Sequence, residues 1–143
     1  MESKRQLIVA IGLARDAQGK TLLQKRVDPL IPTADGKWEF PGGRVDFGES
    51  PEETIKREFV EEVGCEIEIV RLLPSVQSTI WKRSDGDSQH VLVVCYEVRL
   101  ARGLPRPVDK KVSEVGWFSP EEIGKLDTLS GIRELVALCI EDN

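Results

Sequence analysis

Gly42-Gly43-Arg44-Val45-Asp46-Phe47-Gly48-Glu49-Ser50-Pro51-Glu52-Glu53-Thr54-Ile55-Lys56-Arg57-Glu58-Phe59-Val60-Glu61-Glu62-Val63-Gly64-Cys65 is the stretch around which this chain is organised. It reads as a glycine-rich loop feeding one short helix. Ser50 is a good N-cap, Pro51 suits the first helical position, and Glu53 closes a capping box. Gly64 is a natural C-terminal cap. Ile55, Phe59 and Val63, spaced by four, form the buried stripe. A helix turns by about 100° per residue, so with Ile55 set to zero, Phe59 and Val63 fall near about 40° and 80°, and Glu58, Glu61 and Glu62 near about 300°, 240° and 340°. The three carboxylates therefore form one patch bordering the buried stripe and should line the edge of a packed surface.

Like charges three and four residues apart repel, and in a half-buried setting each raises the other's pKa. A hard divalent cation removes the conflict. Mg²⁺ takes oxygen ligands, is held by few carboxylates and usually binds together with phosphate oxygens. Carboxylates without a nearby histidine or cysteine favour Mg²⁺ or Mn²⁺ over zinc. Three glutamates by themselves are more often a solvated acidic face; the residues spaced around them decide otherwise.

The rest of the chain narrows the class. At 143 residues it is one domain of ordinary size. Its 40% hydrophobic and 31% charged residues are those of a soluble globular chain with one core. No apolar run approaches the ~20 residues that span a bilayer. Met1-Glu2-Ser3-Lys4-Arg5-Gln6 lacks the pattern of a signal peptide, so no membrane partner and a cytoplasmic location are expected. A net charge of −5 argues against grip on a nucleic-acid backbone. It allows a small nucleotide, because a divalent cation can supply the missing positive charge. Cys65, Cys95 and Cys139 fit no zinc spacing and are odd in number, so they read as buried small hydrophobes. His90, the one histidine, opens an apolar strand and reads as a satisfied or surface histidine, which leaves covalent catalysis without a partner.

Residues 6–14 form a nearly continuous apolar strand, 16–20 a turn, and 21–26 a returning strand ending in Lys25-Arg26. Arg26 is a candidate for substrate phosphate. Residues 27–37 are a loop long enough to wall a pocket. Residues 38–40 are a short strand stopped by Pro41, with Trp38 divided between core and ligand contact. Residues 67–81 are extended and interrupted by Pro74, 84–88 turn, and 91–96 form a strand buried on both faces. Residues 101–111 are a surface loop and 112–118 a last strand. Ser119-Pro120-Glu121-Glu122 repeats the helix-start signal, and Asp127-Thr128 caps a final helix to about residue 141. Several strands around one central helix make a mixed α+β domain, layered α/β/α.

From Gly43 the spacing resembles the Nudix signature, Gly-x5-Glu-x7-Arg-Glu-U-x-Glu-Glu-x-Gly-U, in which U is aliphatic or bulky and apolar. Gly43, Glu49, Arg57, Glu58, Phe59, Glu61, Glu62 and Gly64 stand in its places, and Cys65 is an unusual but apolar last residue. The approach Trp38-Glu39-Phe40-Pro41-Gly42-Gly43 resembles the MutT-type branch, which hydrolyses nucleoside triphosphates. The resemblance implies a Nudix α/β/α sandwich with a mixed central sheet, and hydrolysis of a nucleoside diphosphate linked to a group X. The leading expectation is a (deoxy)nucleoside triphosphate split into monophosphate and pyrophosphate. An ADP-ribose or nucleotide-sugar pyrophosphatase is a rival. A non-catalytic nucleotide sensor is another, but sensors tend to lose the box carboxylates and this chain keeps them.

The resemblance also assigns roles. Glu61 and Glu62 bind metal, Glu58 binds metal or acts as base, Arg57 orients Glu58, and the Gly42 carbonyl is a ligand. Glu49 supports the loop or the metal shell and is counted with the substrate-binding residues, beside Arg26, Arg44 and Trp38. The implied cofactor is Mg²⁺, with Mn²⁺ as substitute. An acid outside the box completes the site; Glu114 is the first candidate and Asp46 the second. A homodimer is plausible by base rate. The base and X depend on residues 27–37, 75–81 and the region near Glu114, which meet only in three dimensions.

Overall fold

A computed structural model describes residues 3–141. Among them the chain forms β1 (Lys4–Ala14), β2 (Thr21–Arg26), β3 (Trp38–Glu39), β4 (Gly42–Arg44), α1 (Pro51–Val63), β5 (Glu66–Lys82), β6 (Ser88–Arg102), β7 (Val112–Phe118), α2 (Pro120–Ile123) and α3 (Ile132–Glu141). The long apolar strands β1 and β6 pair in parallel, from Lys4 against Ser88 to Ala14 against Val98. Parallel neighbours need a crossover, and α1 lies within it. β4 and β5 add antiparallel on the outer sides, which gives a mixed sheet of order β4-β1-β6-β5. β3, β2 and β7 form a second, antiparallel sheet.

Side chains alternate across a strand, and that alternation builds two cores. Ala14, Leu22 and Tyr96 pack with Ile55, Phe59 and Val63 of α1. Their neighbours Leu13, Leu23 and Cys95 pack on the other side with Ile123, Ile132, Leu135 and Val136 from α2 and α3. The α/β/α layering follows. Cys65, Cys95 and Cys139 are buried and pack with the two cores. No helix among the described residues is long and apolar enough to cross a membrane.

Both ends of α1 follow their sequence signals. Ser50 Oγ accepts from the Glu53 N–H, and the Glu53 carboxylate accepts from the Ser50 N–H. Gly64 ends the helix in the left-handed conformation, at φ 72°, which a side chain would disfavour. Three expectations need correction. Pro74 does not interrupt β5: the strand is at a sheet edge, where a missing N–H is tolerated, and a register shift between Leu72 and Val76 absorbs it. β6 runs on to Arg102, so the loop begins at Gly103. Asp127-Thr128 does not cap a helix. Instead the Trp38 N–H donates to the Asp127 carbonyl and the Leu129 N–H to the Trp38 carbonyl, so this segment pairs with β3, and α3 starts only at Ile132.

Candidate active site

Arg57 is the hub of the glycine-rich loop and α1. Its Nε and Nη2 donate to the two Glu49 oxygens at 2.7 and 3.0 Å. Its Nη1 donates to Glu58 at 2.8 Å and to Glu61 at 3.2 Å, and Nη2 stands 3.3 Å from Asp46. The planar guanidinium fork suits such paired acceptors. It holds the Glu49 carboxyl down at about 2, helped by the Thr54 hydroxyl. Its own pKa is raised, first by Glu49.

The three helix glutamates differ by depth, as their helical angles require. Glu61 is half exposed. Glu58 is largely buried, and burial raises its pKa against the opposing pull of Arg57. Glu62 is 9% exposed and accepts the Gly42 N–H at 2.9 Å. Burial first, and then the charge of Glu39, push its carboxyl up to about 9. Glu39 itself accepts from Gln24 Nε2 at 3.0 Å and from Arg26 Nη1 at 3.1 Å. The Gln24 Oε1 beside them is buried without a partner. This is a buried, acid-rich pocket in which Arg57 pairs with Glu58 and Arg26 with Glu39, while Glu62 accepts from the Gly42 amide.

Among the described residues no three acid, histidine or cysteine side chains converge on a common coordination point. Glu58 and Glu61 are drawn to Arg57, and Glu62 to the Gly42 amide. The donor set nevertheless fits a hard divalent cation: oxygen only, close together, and holding a carboxyl whose ionisation is suppressed by burial and by the neighbouring Glu39 charge.

The pocket opens into a cavity of about 1150 Å³. Gly42, Gly43, Arg44, Asp46, Arg57, Glu58 and Glu62 line it, together with Arg26, Glu39, Gln77, Trp81 and Arg83. Arg26 is engaged there with Asp28, Glu39 and the face of Trp81, 4.7 Å away. Glu49 lies behind the lining, bonded to Arg57. Two sequence candidates stand apart from the cavity. Trp38 packs edge-on against Phe118 with ring centroids 5.0 Å apart, within the core under α3. Glu114 pairs with Lys25 at 3.4 Å and is mostly exposed. Strand parity explains both: Lys25 opposes Trp38 and Glu114, whereas Gln24 opposes Glu39 and Val115. His90 is bonded to Gln6 and Ser78 and is not among the lining residues.

The sequence reading did not single out Glu39, Gln24, Lys110 or Lys111, and it covered Trp81 only within the stretch 75–81. Glu39 had a signal: if Trp38 enters the core, its neighbour must face the opposite way. Lys110 and Lys111 had none, because they lie in an aperiodic loop. That loop is tied down by Val108 N–H to the Glu62 carbonyl, Arg106 N–H to the Val63 carbonyl, and Val27 N–H to the Lys111 carbonyl.

Gly43 shows why the loop is glycine-rich. A Cβ there would lie 2.7 Å from the Glu58 carboxylate. The obstacle is the end of a flexible side chain, so Gly43→Ala should fold with little change in Tm while displacing Glu58. We expect activity to fall at least about tenfold, the size of a ligand-orienting effect. Full activity in the folded variant would show that the position of Glu58 is not critical.

A family model described as NUDIX domain matches residues 4–139. An 8-oxo-dGTP diphosphatase of Proteus vulgaris is 36% identical over 76 residues, 53% of this chain and 66% of that protein. A MutT-like protein of Streptomyces ambofaciens is 26% identical over 128 residues, 89% of this chain and 73% of that one. The crystal structure of a MutT NUDIX hydrolase from Burkholderia pseudomallei superposes with a TM-score of 0.74 at 27% identity, covering 92% of this chain and 95% of that one. The signature loop-helix, the fold and these likenesses agree: the chain belongs to the Nudix family, as a MutT-like hydrolase.

Proposed function

We propose that the protein is a Mg²⁺-dependent pyrophosphohydrolase of (deoxy)nucleoside triphosphates, releasing a nucleoside monophosphate and pyrophosphate, with Mn²⁺ able to substitute. Nudix hydrolases use divalent metal ions. The observation that carries the reading is the acid floor of Glu58, Glu62 and Glu39, in which burial raises the pKa of Glu58 and Glu62 and so calls for a cation. It is faced within the same cavity by the basic residues Arg44, Lys110 and Lys111. Such a surface suits an anionic polyphosphate carried with a metal ion.

Glu58, Glu61 and Glu62, with the Gly42 carbonyl, would hold the ion. When bound, it would neutralise phosphate charge and render water nucleophilic at neutral pH. Glu58 is the proton acceptor: it is half-desolvated, its pKa is raised, and Arg57 fixes its orientation. For the acid outside the box, Glu39 replaces Glu114, because it stands beside Glu62 whereas Glu114 faces Lys25. Arg44, Lys110 and Lys111 bind the phosphates. Arg26 and Trp81 shape the part of the cavity where the base or sugar rests.

The test is a substrate panel with identified products, with the triphosphate of oxidised guanine at its head because of the name carried by the Proteus relative. Pyrophosphate release from triphosphates is expected. One observation favours a second reading: at about 1150 Å³ the cavity exceeds the ~300–1,000 Å³ usual for small-molecule sites, so ADP-ribose belongs in the panel, and a sugar phosphate product would replace the first reading. No turnover of any nucleotide with Mg²⁺ or Mn²⁺ would make the protein a sensor.

Lys111 provides a finer check. Its backbone is fixed by the Asp109 carboxylate and by Val27, and its charge reaches Glu58. Lys111→Met should raise KM about tenfold, the value of one charged hydrogen bond, with a smaller change in kcat. An unchanged KM would remove Lys111 from the phosphate site.

A further inference from the structure

Helix α1 is too short for the sheet it covers. Its 13 residues extend about 20 Å, whereas the 15 residues of β6 extend about 50 Å. The helix packs over Ala10, Ala14, Tyr96, Val98 and Ile67. Further along the same face the pairing register aligns Ile8 with Leu92 and Ser78, Leu92's neighbour row with Val76, and Gln6 with His90 and Ile80. Ile8, Leu72, Val76 and Ile80 are each more than half exposed. The sheet contributes to the active-site cavity mainly through its opposite face, by the alternate residues Leu7, Val9, Val91, Val93 and Thr79; of the bare-face residues named here only Ser78 also touches it. The sheet thus presents a bare apolar area that the catalytic site does not use, of the kind that marks an interaction surface.

Charge brackets this area. One end carries Lys4 and Lys82, which share a row across Ser88. The other end carries Glu52, in the first turn of α1, whose charge reaches Tyr96. All three are exposed, and among the described residues none has a salt bridge. A face that is basic at one end, acidic at the other and apolar between is complementary to its own copy turned end for end. Pro74 and the register shifts in β5 hinder a further strand from pairing along the open edge, which leaves the face as the route of contact.

We propose that two copies of this chain associate through this face, about a two-fold axis lying between the sheets and crossing the strands. The axis passes near Ile8, Leu92 and Ser78. It sets Val76 and Ile80 in the apolar centre and brings the Lys4 and Lys82 ends against Glu52 of the second copy, an isologous contact. Most of the sheet residues that line each cavity lie on the outer faces, away from this contact.

Sedimentation velocity across a range of micromolar concentrations, with circular dichroism and hydrolysis rate as controls, tests this. The full chain should sediment at twice its 16.0 kDa mass. Val76→Glu should sediment as a single chain with unchanged circular dichroism and unchanged turnover. If Val76→Glu does not fold, the charges decide. Lys82→Glu and Glu52→Lys should each shift the equilibrium towards single chains, and the double exchange should restore the wild-type distribution. A wild-type chain that sediments at its single mass throughout overturns the proposal. So does a folded Val76→Glu variant that remains a dimer, or a double exchange no better than either single one.

Discussion

Glu62→Gln should lower the hydrolysis rate by about a thousandfold, the equivalent of several kcal/mol of lost charge stabilisation, while making the metal-free protein more resistant to alkaline pH. Both effects come from one position. Glu62 is the deepest of the helix carboxylates, fixed by the Gly42 N–H and crowded by Glu39. Burial holds its carboxyl at about 9 in the metal-free fold, against an ordinary value of 4.5. The folded pKa lies above the unfolded one, so the stability associated with this group is fully present below about 4.5 and is lost as pH rises towards about 9. Metal-free wild type should therefore melt at progressively lower temperature across that window. Glutamine keeps the shape and accepts the same N–H without ionising, so the decline should flatten in the variant. Added Mg²⁺ or Mn²⁺ should flatten it in the wild type alone, by favouring the ionised carboxylate. Thermal melts over pH with and without chelator, beside steady-state rates, measure both. Full-rate hydrolysis by Glu62→Gln, or a decline of the same size in the variant, would remove Glu62 from the metal site.

Arg57→Lys is the second large effect, because it keeps the charge and removes the fork. The wild-type guanidinium engages Glu49 through two nitrogens and reaches Glu58, Glu61 and Asp46 with the others. A lysine ammonium is a point charge on a flexible stem and cannot meet these acceptors together. kcat should fall about ten- to a hundredfold, as for the loss of a residue that orients a metal-site ligand, and Arg57→Ala should be only slightly worse. A lysine variant with wild-type kcat would show that charge alone suffices. The acid side of the stability profile should respond as well. Arg57 holds Glu49 at about 2, below its ordinary 4.5, so the stability from that pairing is present above about 4.5 and lost as pH falls towards 2. Arg57→Ala should be less stable than wild type at neutral pH and lose less on acidification.

The helix and its loop were legible because their signals are local. Ser50, Glu53 and Gly64 act within one turn of their own positions, and the structure shows the capping box and the left-handed cap at those residues. The grading of Glu61, Glu58 and Glu62 from exposed to buried follows from helical angle alone. Trp38 and Glu114 were singled out by residue type and chain position, and each lies on the strand face that turns away from the cavity. Asp127-Thr128 carried a genuine cap signal, which the pairing demand of β3's open backbone overrode.

By itself the sequence determined which bond this protein is built to break, because the carboxylates, the arginine and the glycines sit on one helix and its preceding loop, where spacing dictates geometry. Only the tertiary structure decided what surrounds that chemistry. It set Glu39 and Gln24 beside Glu62, brought Lys110 and Lys111 to the wall of the same cavity, stacked Arg26 on Trp81, and left Ile8, Val76 and Ile80 exposed on one sheet face. These contacts join residues tens of positions apart, and their placement depends on strand parity, register and the length of a helix relative to its sheet.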